Sequence, residues 1–148
     1  AVPGAPAAIS GPARGYKVDE RAAAFRLAGD ETAIPAIGLL LEALPATAAV
    51  EVLIEVAHPD ARVALPEHPR AEVRWLQRPA SADPGSALAD AVIAAPLDPD
   101  TRLWAAGEAA AMQRIRRHLF QERGLKRAQA HIRGYWKHGR SGDLADEP

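Results

Sequence analysis

Apolar and polar positions along this chain switch between two periods. Phe25-Arg26-Leu27-Ala28 is a short strand signal that ends at Gly29. Ile34, Ile37, Leu41 and Leu44 then recur at spacings of three, four and three, which predicts a helix with one buried stripe. Asp30 or Thr32 serves to cap it, Pro35 is tolerated in its first turn, and Pro45 ends it. Val50 to Val56 is β-branched and almost continuously apolar, interrupted only by Glu51 and Glu55, as a buried parallel strand would be. Val73 to Leu76 reads as a third strand, Gly85 to Ala94 as a weaker helix, and Leu103 to Ala106 as a fourth strand ending at Gly107. The strongest helix is predicted over Glu108 to Glu122, with Met112, Ile115 and Leu119 inward and Arg114, Arg117 and Gln121 outward. Gly124 stops it by taking a left-handed conformation. Ala128 to Trp136 is the last strand.

Strands alternating with helices predict an α/β fold: a parallel sheet of about five strands with helices on both faces. Ligands of such sheets bind at the carboxyl ends of the strands. That rule selects Gly29 to Thr32, Gln77 to Pro79, and Gly107 to Ala109.

Composition narrows the chemistry. The chain has 148 residues, enough for one domain with a real core. A net charge of −1 gives no general electrostatic reason to bind nucleic acid or an anionic membrane. No apolar run approaches the roughly 20 residues of a membrane helix, so no membrane insertion is expected. There is no cysteine, which excludes disulfides, thiolate metal sites and a cysteine nucleophile, and fits a cytoplasmic location. His58, His68, His118, His131 and His138 show no metal-ligand spacing, so no metal site is expected. Ser10, Ser81, Ser86 and Ser141 lie outside any G-x-S-x-G elbow. The basic run at Arg114, Arg116, Arg117 and His118 reads as the solvated side of an amphipathic helix.

Several residues have the character of a nucleotide site. Gly29-Asp30-Glu31-Thr32 joins a strand to a helix, where free amides and the Thr32 hydroxyl attract phosphate and a glycine permits close approach. Two carboxylates in the same turn oppose that reading, and an ordinary capped turn is the alternative. Arg78, after the third strand, suits a forked contact to an adenosine 2′-phosphate, or is a surface arginine. At Gly107-Glu108, glycine leaves room for a flat ring. Glu108 either faces an amide or favours the helix N-terminus. Arg133, Tyr135, Trp136 and Lys137 combine cations with aromatics, as ligand stacking requires, although a terminal strand covering the core is equally consistent.

Together these segments resemble the siderophore-interacting protein family of NAD(P)H-dependent ferric-siderophore reductases. The likeness is carried by Leu27-Ala-Gly-Asp-Glu-Thr-Ala-Ile-Pro-Ala-Ile37, Val73-Arg-Trp-Leu-Gln-Arg78, Trp104-Ala-Ala-Gly-Glu-Ala-Ala-Ala111 and Gly134-Tyr-Trp-Lys-His-Gly139, in the family's order. The resemblance implies a Rossmann-like domain of the ferredoxin reductase C-terminal type, binding NADPH or NADH, beside a β-barrel domain that binds FAD. Hydride would pass to the flavin, then single electrons to the Fe(III) of a ferric siderophore. The family's arginine–x–tyrosine–threonine flavin motif is missing. Arg14-Gly15-Tyr16-Lys17 resembles it only superficially, and Gly11-Pro-Ala-Arg-Gly-Tyr16 looks like the exit from the barrel.

The resemblance thus divides the chain into a junction remnant at 1–15 rich in Ala, Pro and Gly, an NAD(P)H-binding domain at 16–139, and an acidic tail at 140–148. The first residue is Ala1 rather than methionine, and we read the chain as a fragment. The resemblance puts Gly29, Asp30, Glu31 and Thr32 at the nucleotide phosphates and Arg78 near the adenosine ribose. It puts Gly107 and Glu108 by the nicotinamide, Tyr135 and Trp136 by the flavin, and Lys137, with Arg133, toward an anionic siderophore. No residue of this chain is expected to be catalytic by itself. The alternative is a non-catalytic module that binds a siderophore or a partner.

Overall fold

The computed structural model describes residues 16–139. Five strands form one sheet: β1 (Ala24–Asp30), β2 (Ala49–Val56), β3 (Ala71–Gln77), β4 (Thr101–Glu108) and β5 (Ala130–Trp136). They lie in the order β3-β2-β1-β4-β5, and every neighbouring pair is parallel. Three helices cover the faces: α1 (Ile34–Ala43), α2 (Ser86–Ala94) and α3 (Ala109–Arg116).

Successive strand residues point to opposite faces, so each central strand feeds two cores. Phe25, Leu27, Val52, Ile54 and Trp104 pack with α1 on one face. Ala28, Leu53, Leu103, Ala105 and Ile132 pack with α2 and α3 on the other. This double coverage is why β1, β2 and β4 read as nearly continuous apolar runs. At the amino end of the sheet Arg26 is buried, its guanidinium donating to Glu51 Oε2 at 2.5 Å and to the Pro96 carbonyl at 3.0 Å. The fold is thus the α/β parallel sheet that the alternation of periods implies.

The strands β1, β3 and β4 run one to two residues beyond the predicted spans at each end, and two further elements differ in form. The long helix predicted over Glu108 to Glu122 is α-helical only to Arg116 and continues as a π-helical turn over Arg117–Glu122. The wider turn closes through Arg123 N–H to the His118 carbonyl (2.9 Å) and Leu125 N–H to the Leu119 carbonyl (2.8 Å). It keeps Leu119 buried and brings Phe120 and Leu125 onto the same core. Gly124 has φ +67°, the left-handed stop expected there. The last strand begins at Ala130 rather than Ala128, because Arg127–Gln129 form a 3-10 turn first.

Tyr16 packs on His131 of β5, with ring centroids 5.1 Å apart. Burial, then the charges of Arg133 and Arg116, hold the His131 pKa below its ordinary 6.5. The folded chain therefore resists protonating His131, whereas the unfolded chain does not. Stability from this residue is complete above pH 6.5 and is lost as pH falls through the ordinary histidine range toward the lower folded value. Urea unfolding at several pH values should show that loss, and His131→Gln should flatten it. An unchanged slope in the variant would remove His131 as the cause.

Candidate functional site

The chain order reverses between β1 and β4, and an open α/β sheet has its crevice at that reversal. Three buried acids stand at this end of the sheet. Asp30, Glu55 and Glu108 are all under 10% exposed. Buried carboxylates need donors, and each finds them in nearby backbone.

Asp30 ends β1 and accepts four hydrogen bonds. Its Oδ1 accepts from the Thr32 N–H (3.0 Å) and the Thr32 hydroxyl (2.5 Å). Its Oδ2 accepts from the Glu108 N–H (2.9 Å) and from Nε1–H of Trp136 (2.7 Å). Space for this carboxylate comes from Gly107, where a Cβ would lie 2.6 Å from Oδ2. Gly29 has a similar internal reason, since a Cβ there would lie 2.5 Å from Ala33 Cβ and 3.2 Å from the Ala106 carbonyl. Both glycines are thus explained by close packing within the fold.

Glu108 caps α3: its Oε2 accepts from the Ala111 N–H (2.9 Å) and its Oε1 from the His138 N–H (3.2 Å). Of the two roles open to Glu108 from the sequence, the helix N-terminus is the one it fills. Glu55, one residue before the end of β2, accepts from the Gly85 and Leu88 N–H groups at the start of α2, at 2.7 and 2.9 Å. Glu31 is exposed and accepts from the Ala57 N–H at 2.7 Å. Amides at the first turns of α2 and α3 are therefore taken by the protein's own carboxylates. Glu55 is the site residue that pattern reading misses. Its signal is a lone acid near the end of a strand buried on both faces.

Arg78 is half-buried rather than a solvated surface arginine. Its Nε lies 3.7 Å from Glu55 Oε1 and its Nη1 donates to the Ala82 carbonyl at 3.0 Å. A cleft of about 190 Å³ gathers Asp30, Thr32, Glu55, Arg78 and Trp136, with Glu31, Ala57 and Pro84 completing its wall. The structure thus joins residues of three predicted segments.

Tyr135 and Trp136 diverge. A register shift in the β4–β5 ladder pairs Gly107 with Gly134 and Glu108 with Trp136, so Tyr135 is passed over. Tyr135 packs against the α1-side core and stands edge-on to Trp104, with centroids 6.4 Å apart and planes at 76°. Burial pushes its hydroxyl pKa above the usual 10. Trp136 turns to the cleft. Arg133 and Lys137 are exposed, outside the cleft lining. Among the described residues no three His, Asp or Glu side chains come together to hold a metal ion, and no helix is long and apolar enough to cross a membrane.

A sequence profile described as siderophore-interacting protein matches residues 22–139. The chain belongs to this family. Among solved structures, this siderophore-interacting protein is similar to a siderophore utilization protein from T. fusca. The two are 37% identical with a TM-score of 0.73, over 85% of this chain and 48% of that one. It is also similar to the siderophore-interacting protein SipS from Aeromonas hydrophila, at 25% identity and a TM-score of 0.68, over 81% of this chain and 48% of SipS. An uncharacterized protein of Mycobacterium tuberculosis is 38% identical over 152 aligned residues, 95% of this chain and 54% of that protein. The mycobactin import ATP-binding/permease protein IrtA of the same organism is 32% identical over 125 residues, 83% of this chain and 14% of IrtA. The chain therefore spans about half the length of the uncharacterized relative and a small part of IrtA.

Proposed function

We propose that this chain is the nicotinamide-nucleotide-binding domain of a flavin-dependent ferric-siderophore reductase in the cytoplasm. It would work with an FAD-binding barrel domain in the same or another chain, and the iron released would come from a ferric siderophore. The observation that carries this reading is the cleft at the carboxyl ends of β1 and β2, where Thr32, Arg78 and Trp136 converge from separate segments.

The cleft suits the adenosine-phosphate end of NADPH. Arg78 offers a guanidinium already oriented by Glu55 and the Ala82 carbonyl. Trp136, which the family resemblance puts by the flavin, lines this cleft and offers it an aromatic wall for stacking. The acids are compatible with an anionic ligand because Asp30, Glu55 and Glu31 are each engaged by N–H donors. NAD(P)H supplies a hydride for the flavin when bound. Within this chain, Arg78 binds phosphate, Trp136 bounds the cleft, and Asp30 and Glu108 hold the ends of β1, β4 and β5 in register. Lys137 and Arg133, exposed on or beside β5, attract an anionic siderophore.

The test is an NMR titration of the 148-residue chain with NADPH. Shift changes are expected at Thr32, Arg78 and the Trp136 indole. No change at saturating NADPH would end the nucleotide reading. The rival is a non-catalytic siderophore- or partner-binding module, favoured by the carboxylates that occupy the helix amides. Quenching of tryptophan fluorescence by a ferric siderophore, with no response to NADPH, would decide for it.

A further inference from the structure

We infer that Asp30 is a positioning residue for the nucleotide: its Oδ2 fixes the Trp136 indole at the cleft lined by Thr32 and Arg78. This rests on the nucleotide reading above and changes the role of Asp30 within it. Asp30 is 7% exposed and accepts four hydrogen bonds. An ionised carboxylate has about four lone-pair sites. None is left for a ligand, so Asp30 acts through what it holds.

What it holds is the junction of three strand ends. Oδ2 takes one donor from Glu108, the last residue of β4, and one from Trp136, the last residue of β5. These two residues are also paired across the register shift. The orientation of the indole is therefore set by β1 through a charge-assisted bond as well as by the strand that carries it. Without that bond, the aromatic neighbour of the ring among the described residues is His138, edge-on at 6.3 Å between centroids. Thr32 is fixed by the other oxygen of the same carboxylate. One side chain thus sets two parts of the cleft wall.

Asp30→Ala removes both carboxylate oxygens and leaves no side-chain acceptor for Thr32, Glu108 or Trp136, whereas an asparagine could turn its amide oxygen to Trp136 and keep that bond. Trp136→Phe keeps an aromatic ring but removes the N–H together with part of the indole's stacking area. In 1H–15N spectra of the full chain, the Trp136 indole proton, identified by its loss in Trp136→Phe, is expected to be protected from exchange. It should lose that protection in Asp30→Ala.

NADPH affinity should fall roughly three- to tenfold in each variant, the equivalent of one hydrogen bond. The double variant should fall no further, because both changes break the same link. A wild-type-like indole signal in Asp30→Ala, or additive losses in the double variant, would overturn the inference. If Asp30→Ala does not fold, wild-type NADPH affinity in Trp136→Phe overturns it on its own. Failure of the wild-type chain to bind NADPH removes the nucleotide reading and this inference together. Binding by the wild type that is unchanged in both variants removes this inference alone.

Discussion

Gly107→Ala is expected to destabilise the fold by about 3 kcal/mol, combining overpacking with disruption of buried hydrogen bonds. For a chain of this size that lowers the melting temperature by about 10 °C. The added Cβ would sit 2.6 Å from Asp30 Oδ2 and 2.9 Å from its Cγ, at a buried position on a central strand. Neither partner can retreat easily. Gly107 lies in β4, paired to β5, and Asp30 is held by Thr32, Glu108 and Trp136. Moving the carboxylate breaks bonds made at three strand ends. Gly38→Ala is the control, because its Cβ would meet Pro66 at an ordinary 3.5 Å within α1. That change should be neutral or stabilising by up to about 1 kcal/mol through helix propensity. Thermal unfolding followed by circular dichroism compares the two. Equal melting temperatures would mean that Asp30 has room to move and that Gly107 does not serve it.

The same pair shows where sequence reading works and where it stops. The sheet is legible because its central strands β1, β2 and β4 are buried on both faces and its helices carry regular stripes. Ile37, Leu41 and Leu44 all reach the core, as do Met112, Ile115 and Leu119. Pattern cannot distinguish an α-turn from a π-turn, because both keep Leu119 inward. The π-helical form of the last turn is therefore not legible, although its end at Glu122 is. Gly29 and Gly107 stood out as positions where something approaches the backbone closely. In the structure the approaching groups are Ala33 with the Ala106 carbonyl, and Asp30. A glycine reports that space is needed and not what fills it.

Acids follow the same logic. Asp30 and Glu31 in a phosphate-like turn were expected to repel a nucleotide. Their hydrogen bonds to Thr32, Glu108, Trp136 and Ala57 were invisible, because the partners lie up to 106 positions away. Glu55 looked like an interruption in an apolar strand, and it binds the start of a helix 30 positions on. Long-range backbone donors leave no periodic trace in the sequence. Arg78 and Trp136 were singled out on separate grounds, and only the topology shows that they share a cleft.

Arg78→Ala is expected to weaken NADPH binding roughly 10- to 100-fold, the worth of a charged hydrogen bond of about 1.5–3 kcal/mol. NADH binding should change by less than about threefold, since only bonds to the 2′-phosphate are removed. The guanidinium side chain is 23% exposed and is oriented through Nε by Glu55 and through Nη1 by the Ala82 carbonyl. Partial burial weakens competition from water and salt. Pre-set orientation reduces the entropy lost on binding. The two nucleotides differ only at the 2′-phosphate, so any general loosening of residues 78 to 85 affects both and cancels in the ratio. Arg78→Lys keeps the charge without the fork, and should fall between wild type and alanine. Parallel titrations at one ionic strength measure all three. Equal loss of both nucleotides would leave Arg78 with its contacts to Glu55 and Ala82, and assign it to holding the β3–α2 connection in place.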